Sequence, residues 1–170
     1  MNNKRIRALF CDLHSLPKGK YIPNDLAKSG NVGFAQGALA VSLDRDLLTV
    51  PGTGVYDGLP DMELELEKEF RMSWQENTDI ALGDLKVNGK PYDLCSRGAL
   101  KKIIKKWQSI DLSPKIGIEL EAYVFEKDQE GIWIPYNTPG AFVYGTGPFN
   151  DPKDLMYHIW EAADKAEISI

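Results

Sequence analysis

Two glutamates, Glu119 and Glu121, stand two residues apart in an otherwise apolar run from Lys115 to Lys127, K-I-G-I-E-L-E-A-Y-V-F-E-K. In a strand, side chains at i and i+2 share a face and their backbones lie roughly 6.6 Å apart, so both carboxylates can reach into one cleft. Two anions on a buried face repel each other and are costly to desolvate unless cations or hydrogen-bond donors compensate them. Divalent metal is the natural compensation. Oxygen-only ligands select hard ions, Mg²⁺ or Mn²⁺, and ions held in this way suit phosphoryl transfer from ATP. The alternative places both glutamates on the solvent side of an amphipathic strand, with Ile118, Leu120 and Ala122 packed inward. Spacing alone leaves both open, because the same alternation recurs where Glu63, Glu65 and Glu67 interleave with Met62, Leu64 and Leu66.

Other chemistry is sparse. His14 and His158 are too few for a metal site built from imidazoles, so a metal must be held by carboxylates. Cys11 and Cys95 cannot form a disulfide framework or a thiolate zinc site, and each neighbours apolar residues where an inert buried thiol is expected. Trp133 and Tyr136 are expected to pack in a core or an interface.

The elements that would position the carboxylates follow from periodicity. Arg5–Asp12 reads as a strand, with Pro17 and Gly19 as turn residues leading to an extended Tyr21–Pro23. Asn24 can cap a short helical turn closed by Gly30, and an apolar run from Phe34 to Leu43 suggests a strand that bends at its glycines. Leu47–Val50 is strand-like. The stretch from Pro51 to Asp61, P-G-T-G-V-Y-D-G-L-P-D, is a long loop of the kind that carries function. Met62–Glu67 alternates as a strand with a wet acidic face, Asp79–Val87 is another strand, and Asn88-Gly89 is a hairpin turn.

After Cys95 the pattern changes. Ser96 can cap a helix whose Leu100, Ile103, Ile104 and Trp107 fall on one stripe, leaving Lys101, Lys102, Lys105 and Lys106 on an opposite, solvated face. That placement accounts for the lysines without an anion site. A long strand, Lys115–Lys127, turns at Asp128–Gly131 into Ile132–Ile134. Asp151-Pro152 can open a last helix, and Ile168–Ile170 reads as the opening of a further strand.

Composition narrows the function classes. The chain has 170 residues, 43% hydrophobic and 26% charged, with net charge −5, so an ordinary globular protein is expected. Residues 1–95 and 96–170 are each net acidic, which argues against a nucleic-acid partner. No apolar run approaches the roughly 20 residues of a membrane span, and the cytoplasm is the expected compartment.

Gly117 to Phe125, G-I-E-L-E-A-Y-V-F, resembles the segment of the glutamine synthetase family in which a glycine precedes E-x-E and an apolar, aromatic run follows. D-L-H-S-L-P-K-G-K near the start, the glycine-rich loop leading to Asp61-Met62, S-R-G-A-L-K-K and the stretch from Thr146 to Ala166 stand in the family's order. The resemblance implies an α+β chain: a β-grasp-like amino-terminal domain over residues 1–95, then from residue 96 to 170 the truncated start of the family's α/β catalytic domain. It implies Glu121 holding the metal near the amino acid substrate and Glu119 the metal that bridges the nucleotide phosphates. The loop with Asp57 and Asp61 would serve the acceptor side of a neighbouring active site, since family members assemble as rings with sites between subunits. The implied reaction is an ATP-dependent ligation of glutamate with ammonia or another amine through γ-glutamyl phosphate. The loop lacks the D-G-S-S run usual in ammonia-using members, and Ala122 stands where phenylalanine is commoner. The chain is thus closer to divergent γ-glutamyl ligases that use polyamines or other amines. The expectation for this chain is a fragment that does not turn over alone; a noncatalytic binding or oligomerisation module of the same origin is the alternative.

Overall fold

The computed structural model describes residues 4–140 and 143–170. These fall into two compact units, residues 1–114 and 115–170. Both are mixed α and β.

The first unit is built on a seven-stranded mixed sheet. Its strands are β1 (Arg5–Cys11), β2 (Pro17–Pro23), β3 (Asn31–Ala35), β4 (Asp61–Leu66), β5 (Arg71–Met72), β6 (Thr78–Val87) and β7 (Lys90–Pro91). The order is β2-β1-β6-β4-β3, with β5 and β7 also paired to β6. The ten-residue β6 is the common partner. Its first half, Thr78–Leu82, runs parallel to β1, and its second half, Gly83–Lys86, runs antiparallel to β4. The other pairings are antiparallel.

Period-two alternation selects the core. Ile6, Ala8 and Phe10 of β1 point inward with Met62, Leu64 and Leu66 of β4, and Val32 and Phe34 of β3 join them. The Phe10 and Phe34 rings meet edge to face at 5.1 Å between centroids, a favoured aromatic geometry. The acidic side of β4 is wet as expected: Glu63 and Glu65 are exposed, and Glu65 pairs with Lys86 at 2.7 Å. The short helix α1 (Asn24–Lys28) contributes Ala27 to the core and ends in Gly30 at φ 87°, but Pro23 rather than Asn24 occupies its cap. Asn88 and Gly89 both have positive φ, as a tight hairpin turn between β6 and β7 requires.

Several local expectations change. The first hairpin turns at Leu13–Leu16, and Pro17 and Gly19 lie within β2. Pro17 is at the strand's first position, where its missing N–H costs least, and a side chain at Gly19 would run into the Ala8 carbonyl. The Phe34–Leu43 run does not continue as a bent strand, because β3 ends at Ala35 and a 3₁₀ turn occupies Gln36–Leu39. Leu47–Val50 forms only an isolated bridge, Leu47 to Val41. Cys95 is buried, but Cys11, at the outward end of β1, is exposed.

The helix α2 (Ser96–Gln108) has a different cap from the one expected. Cys95 is its cap residue, and its Sγ accepts from the N–H groups of Gly98 and Leu85, each at 3.3 Å. The four lysines are exposed as expected, only Lys101 of them meeting a sheet carboxylate, and Ile104 of the apolar stripe is partly buried. Arg97 donates to Glu67 and, at 2.7 Å, to Asp84; Lys101 also pairs with Asp84. Leu100, Ile103 and Trp107 are about half exposed. The sheet presents Asp84 to this helix, and Arg97 and Lys101 meet it at the helix's edge.

The second unit holds a hairpin, β8 (Phe125–Lys127) and β9 (Trp133–Pro135), and a helix, α3 (Leu155–Lys165). The hairpin turn is fixed by the Asp128 carboxylate, which accepts from the N–H groups of Glu130 and Ile132 at 2.9 and 2.8 Å. The long strand expected from Lys115 is regular only at Phe125–Lys127. Among the described residues no strand offers Lys115–Tyr123 a hydrogen-bonding partner, and a strand without a ladder does not persist. Ile168–Ile170 is likewise not a strand. Pro152 lies ahead of α3 rather than in its first turn, although Asp151 does accept from the Met156 N–H at 2.9 Å. No helix among the described residues is long and apolar enough to cross a membrane.

Leu64 and Gly83 test the core. Leu64→Ala should lower the unfolding free energy of the first unit by about 3 kcal/mol, the ordinary cost of a buried leucine. A side chain at Gly83 would collide with the Glu65 carbonyl and come within 2.8 Å of Leu64 Cδ1. Gly83→Ala should therefore cost at least about 1 kcal/mol although it adds a single methyl. Urea unfolding followed by far-UV circular dichroism checks both; an unshifted midpoint in either variant contradicts the packing described.

Candidate functional site

The β1–β2 turn holds the segment that leads toward the glycine-rich loop. Asp12, at the end of β1, is almost fully buried; its Oδ1 accepts from the N–H groups of His14 and Leu16, both at 2.9 Å, and its Oδ2 lies 3.4 Å from Lys18 Nζ. The turn fixed in this way carries His14, whose Nε2 lies 2.9 Å from the carbonyl of Val41, the residue bridged to Leu47 ahead of the glycine-rich loop. Burial pushes the Asp12 carboxyl up, but the Leu16 and His14 amides and Lys18 outweigh it and hold the group below its ordinary 3.8. The sequence ends a strand at this aspartate but does not reveal that its carboxylate caps the turn that follows.

Further along, Val55–Asp57 is a single 3₁₀ turn. Asp57 reaches back to accept from the Gly54 N–H at 3.1 Å, and Gly58 follows at φ 78°, a left-handed conformation that glycine adopts without strain. Asp61 opens β4, and its backbone carbonyl accepts from Gln36 Nε2 at 3.0 Å. Both acidic side chains are exposed. The loop is thus pinned at its end, where Gln36 donates to the Pro60 and Asp61 carbonyls. Around its two carboxylates it displays apolar side chains to solvent, with Tyr56 88% exposed.

Glu119 and Glu121 lie in the second unit on the segment without regular structure. Both are exposed, and neither is paired with a described cation. Among the described residues no group of three or more histidine, cysteine, aspartate or glutamate side chains could hold a metal ion. The two glutamates are therefore at most two oxygen ligands of a larger set. That number matches the way Mg²⁺ is commonly held, by one or two carboxylates with waters and phosphate oxygens completing the octahedron.

A polar network in the second unit was not foreseen. Tyr136 donates to Asp151 Oδ1 at 2.9 Å, the Lys153 N–H donates to the Tyr136 hydroxyl at 3.3 Å, and Lys153 Nζ pairs with Glu126. Backbone donors from Met156 and Leu155 lower the Asp151 carboxyl, and the Glu126 partner raises the Lys153 ammonium. Tyr136 also lines a cavity of about 230 Å³ with Val124, Phe125 and Leu155. Trp133 is 63% exposed and carries Lys127 over its ring at 5.0 Å.

No protein-family model matches the chain. Curated relatives are nevertheless consistent. A glutamine synthetase of Pyrococcus abyssi is 29% identical over 134 residues, 76% of this chain and 27% of that protein. Type-1 glutamine synthetase 2 of Dictyostelium discoideum is 29% identical over 128 residues, 71% of this chain and 25% of the relative. A glutamine synthetase of Methanococcus voltae aligns over 164 residues at 26% identity, 93% of this chain and 36% of its own length. The chain thus spans about a quarter to a third of the curated relatives it matches. A solved structure described as a novel glutamine synthase homolog shares the fold, with TM-score 0.53 at 15% identity over 64% of this chain and 27% of that one.

The anchoring of the β1–β2 turn is testable by pH. A carboxyl lowered by folding contributes stability above its unfolded value, and that contribution is lost as pH falls through the folded value. Asp12→Asn should cost about 1 to 3 kcal/mol at pH 7, as expected for removing a buried, hydrogen-bonded charge. The gap in Tm between wild type and variant should hold from neutrality down to about pH 5 and close below about pH 4. A gap that is independent of pH would remove Asp12 ionisation from the account.

Proposed function

We propose that this chain, related in sequence to the glutamine synthetases, is the amino-terminal part of an ATP-dependent carboxylate–amine ligase. In this assignment residues 1–95 form a β-grasp-like domain and the catalytic domain begins at Ser96. The similarity to curated glutamine synthetases over some three quarters of the chain carries the proposal. The exposure of alternate apolar residues on the carboxylate segment supports it: Ile116, Ile118 and Leu120 are 75%, 80% and 89% exposed. Alternate apolar positions serve a strand with a covered face.

The complete enzyme would join glutamate to an amine through γ-glutamyl phosphate. The carboxylate oxygen attacks the γ-phosphorus of ATP with release of ADP, and the amine then displaces phosphate from the acyl carbon. Glu121 would hold a divalent ion near the amino acid and Glu119 one at the nucleotide phosphates. Bound Mg²⁺ or Mn²⁺ supplies charge neutralisation at the phosphate oxygens. Asp57 and Asp61 would stand at the acceptor side of a neighbouring subunit's site in a homo-oligomeric ring, placed to accept a proton from an incoming ammonium or aminium. The departures of the loop from the ammonia-using pattern favour an amine larger than ammonia. A protein with this chemistry would work in the cytoplasm.

A noncatalytic assembly module is the second reading, favoured by the closed core of the first unit, which is complete without residues beyond Pro114.

The deciding measurement uses the complete gene product purified from its source. Its intact mass is determined, and it is assayed for phosphate release with ATP, Mg²⁺, glutamate and a panel of amines. The ligase assignment predicts amine-dependent phosphate release, lowered roughly 100-fold or more by Glu121→Gln as a metal-binding carboxylate is lost. Asp57→Asn should act mainly on the amine concentration dependence. A product that assembles but releases no phosphate with any amine overturns the ligase assignment and leaves the module.

A further inference from the structure

The cleft between α2 and the β6–β7 hairpin holds more positive charge than its own carboxylates neutralise. It has a volume of about 350 Å³, within the range of small-molecule sites. Leu85 and Cys95, both buried, form its apolar base together with Tyr92, whose hydroxyl is held by Gln36 Oε1 at 3.2 Å. Four lysines line it, Lys86, Lys101, Lys102 and Lys105, against two carboxylates, Glu65 and Asp84. Lys86 is matched by Glu65, and Lys101 by Asp84, which Arg97 also holds. Lys102 is tied only to Asp93, an exposed side chain outside the cleft, at 3.2 Å. Lys105 has no carboxylate partner among the described residues.

We infer that this cleft binds a small organic anion that places a flat apolar body against Leu85 and Tyr92 and a phosphate or carboxylate headgroup between Lys102 and Lys105. The helix dipole accounts for a cation in the last turn of α2, but not for a lysine-rimmed hollow with a buried apolar base. An ammonium beside low-dielectric walls attracts an anion more strongly than one in open water, and charge-assisted hydrogen bonds are the stronger kind. The apolar base adds selectivity, since inorganic phosphate cannot use it. This site shares no residue with the carboxylates assigned to ligation, and it stands or falls independently of them.

The test is a titration of the ¹⁵N-labelled full chain, at low salt, with phenyl phosphate, benzoate, inorganic phosphate and neutral benzyl alcohol, followed by amide shifts. Phenyl phosphate or benzoate should saturate with shifts concentrated at Leu85, Tyr92, Gly98 and Lys102, and whichever binds tighter identifies the headgroup. Either should bind about 10-fold tighter than inorganic phosphate or benzyl alcohol, and Lys102→Gln/Lys105→Gln should weaken it about 10-fold. Lys28→Gln, at the end of α1 and outside the cleft, should leave it unchanged. Unsaturated or scattered shifts, an affinity unaffected by the double substitution, or equal loss in the Lys28 variant would each overturn the site.

Discussion

The first unit depends on one strand serving two partners in succession. β6 gives its first half to β1 and its second half to β4, and the exchange falls between Leu82 and Gly83. At that point the β4 backbone comes so close that a Cβ on residue 83 has no room beside the Glu65 carbonyl. Everything the unit positions hangs from this arrangement. β4 carries the end of the glycine-rich loop, β1 carries the Asp12 turn that holds Val41 ahead of it, and the second half of β6 presents Asp84 to α2. A glycine in a strand usually weakens it; in β6 it is what allows two ladders to share one backbone.

The same constraint bears on how α2 meets the sheet. A helix with an apolar stripe beside a sheet is ordinarily expected to turn the stripe inward, and Ile104 is partly buried while the four lysines stay exposed. At the helix's edge Arg97 meets Asp84 and Glu67, Lys101 meets Asp84, and the partly exposed ion pairs form a small network rather than an isolated surface contact. Burial opposes ionisation of Asp84, but the two cations prevail and hold its carboxyl low. Exposed pairs contribute little singly, and networks sharing a carboxylate contribute more. The buried Cys95 sulfur adds a fixed cap, so the start of the helix is set by covalent proximity to the sheet.

Much of the first unit was legible in the sequence because alternation is a direct physical signal. Met62, Leu64 and Leu66 could only be buried on one face of β4, and Asn88-Gly89 could only be a tight turn. Pro17 and Gly19 misled because they are turn residues by frequency; a first-position proline and a glycine pressed against Ala8 belong equally to a strand, and only the partner strand distinguishes the cases. The ion pairs of α2 were illegible for a related reason. The identity of the groups opposite a helix is a tertiary fact, and Lys101 is written the same way whether it meets water or Asp84. The spacing of Glu119 and Glu121 was visible at once, but whether the segment forms a strand depends on a neighbour that periodicity does not name.

The two glutamates also illustrate how exposure bears on function. Paired carboxylates in open water cost little, because solvent screens their repulsion; the same pair inside a sheet would need countercharge. An exposed, unpaired E-x-E on a segment with alternate apolar residues therefore combines two incompatible requirements, an outer face that must stay hydrated and an inner face that must be covered. Covering Ile118 and Leu120 with a sheet neighbour would fix the backbone and bring the two carboxylates to one side together. Their repulsion would then rise as their freedom fell, and cation affinity would rise with it. In such a segment, strand formation and metal binding strengthen one another, and neither is favoured strongly without the other.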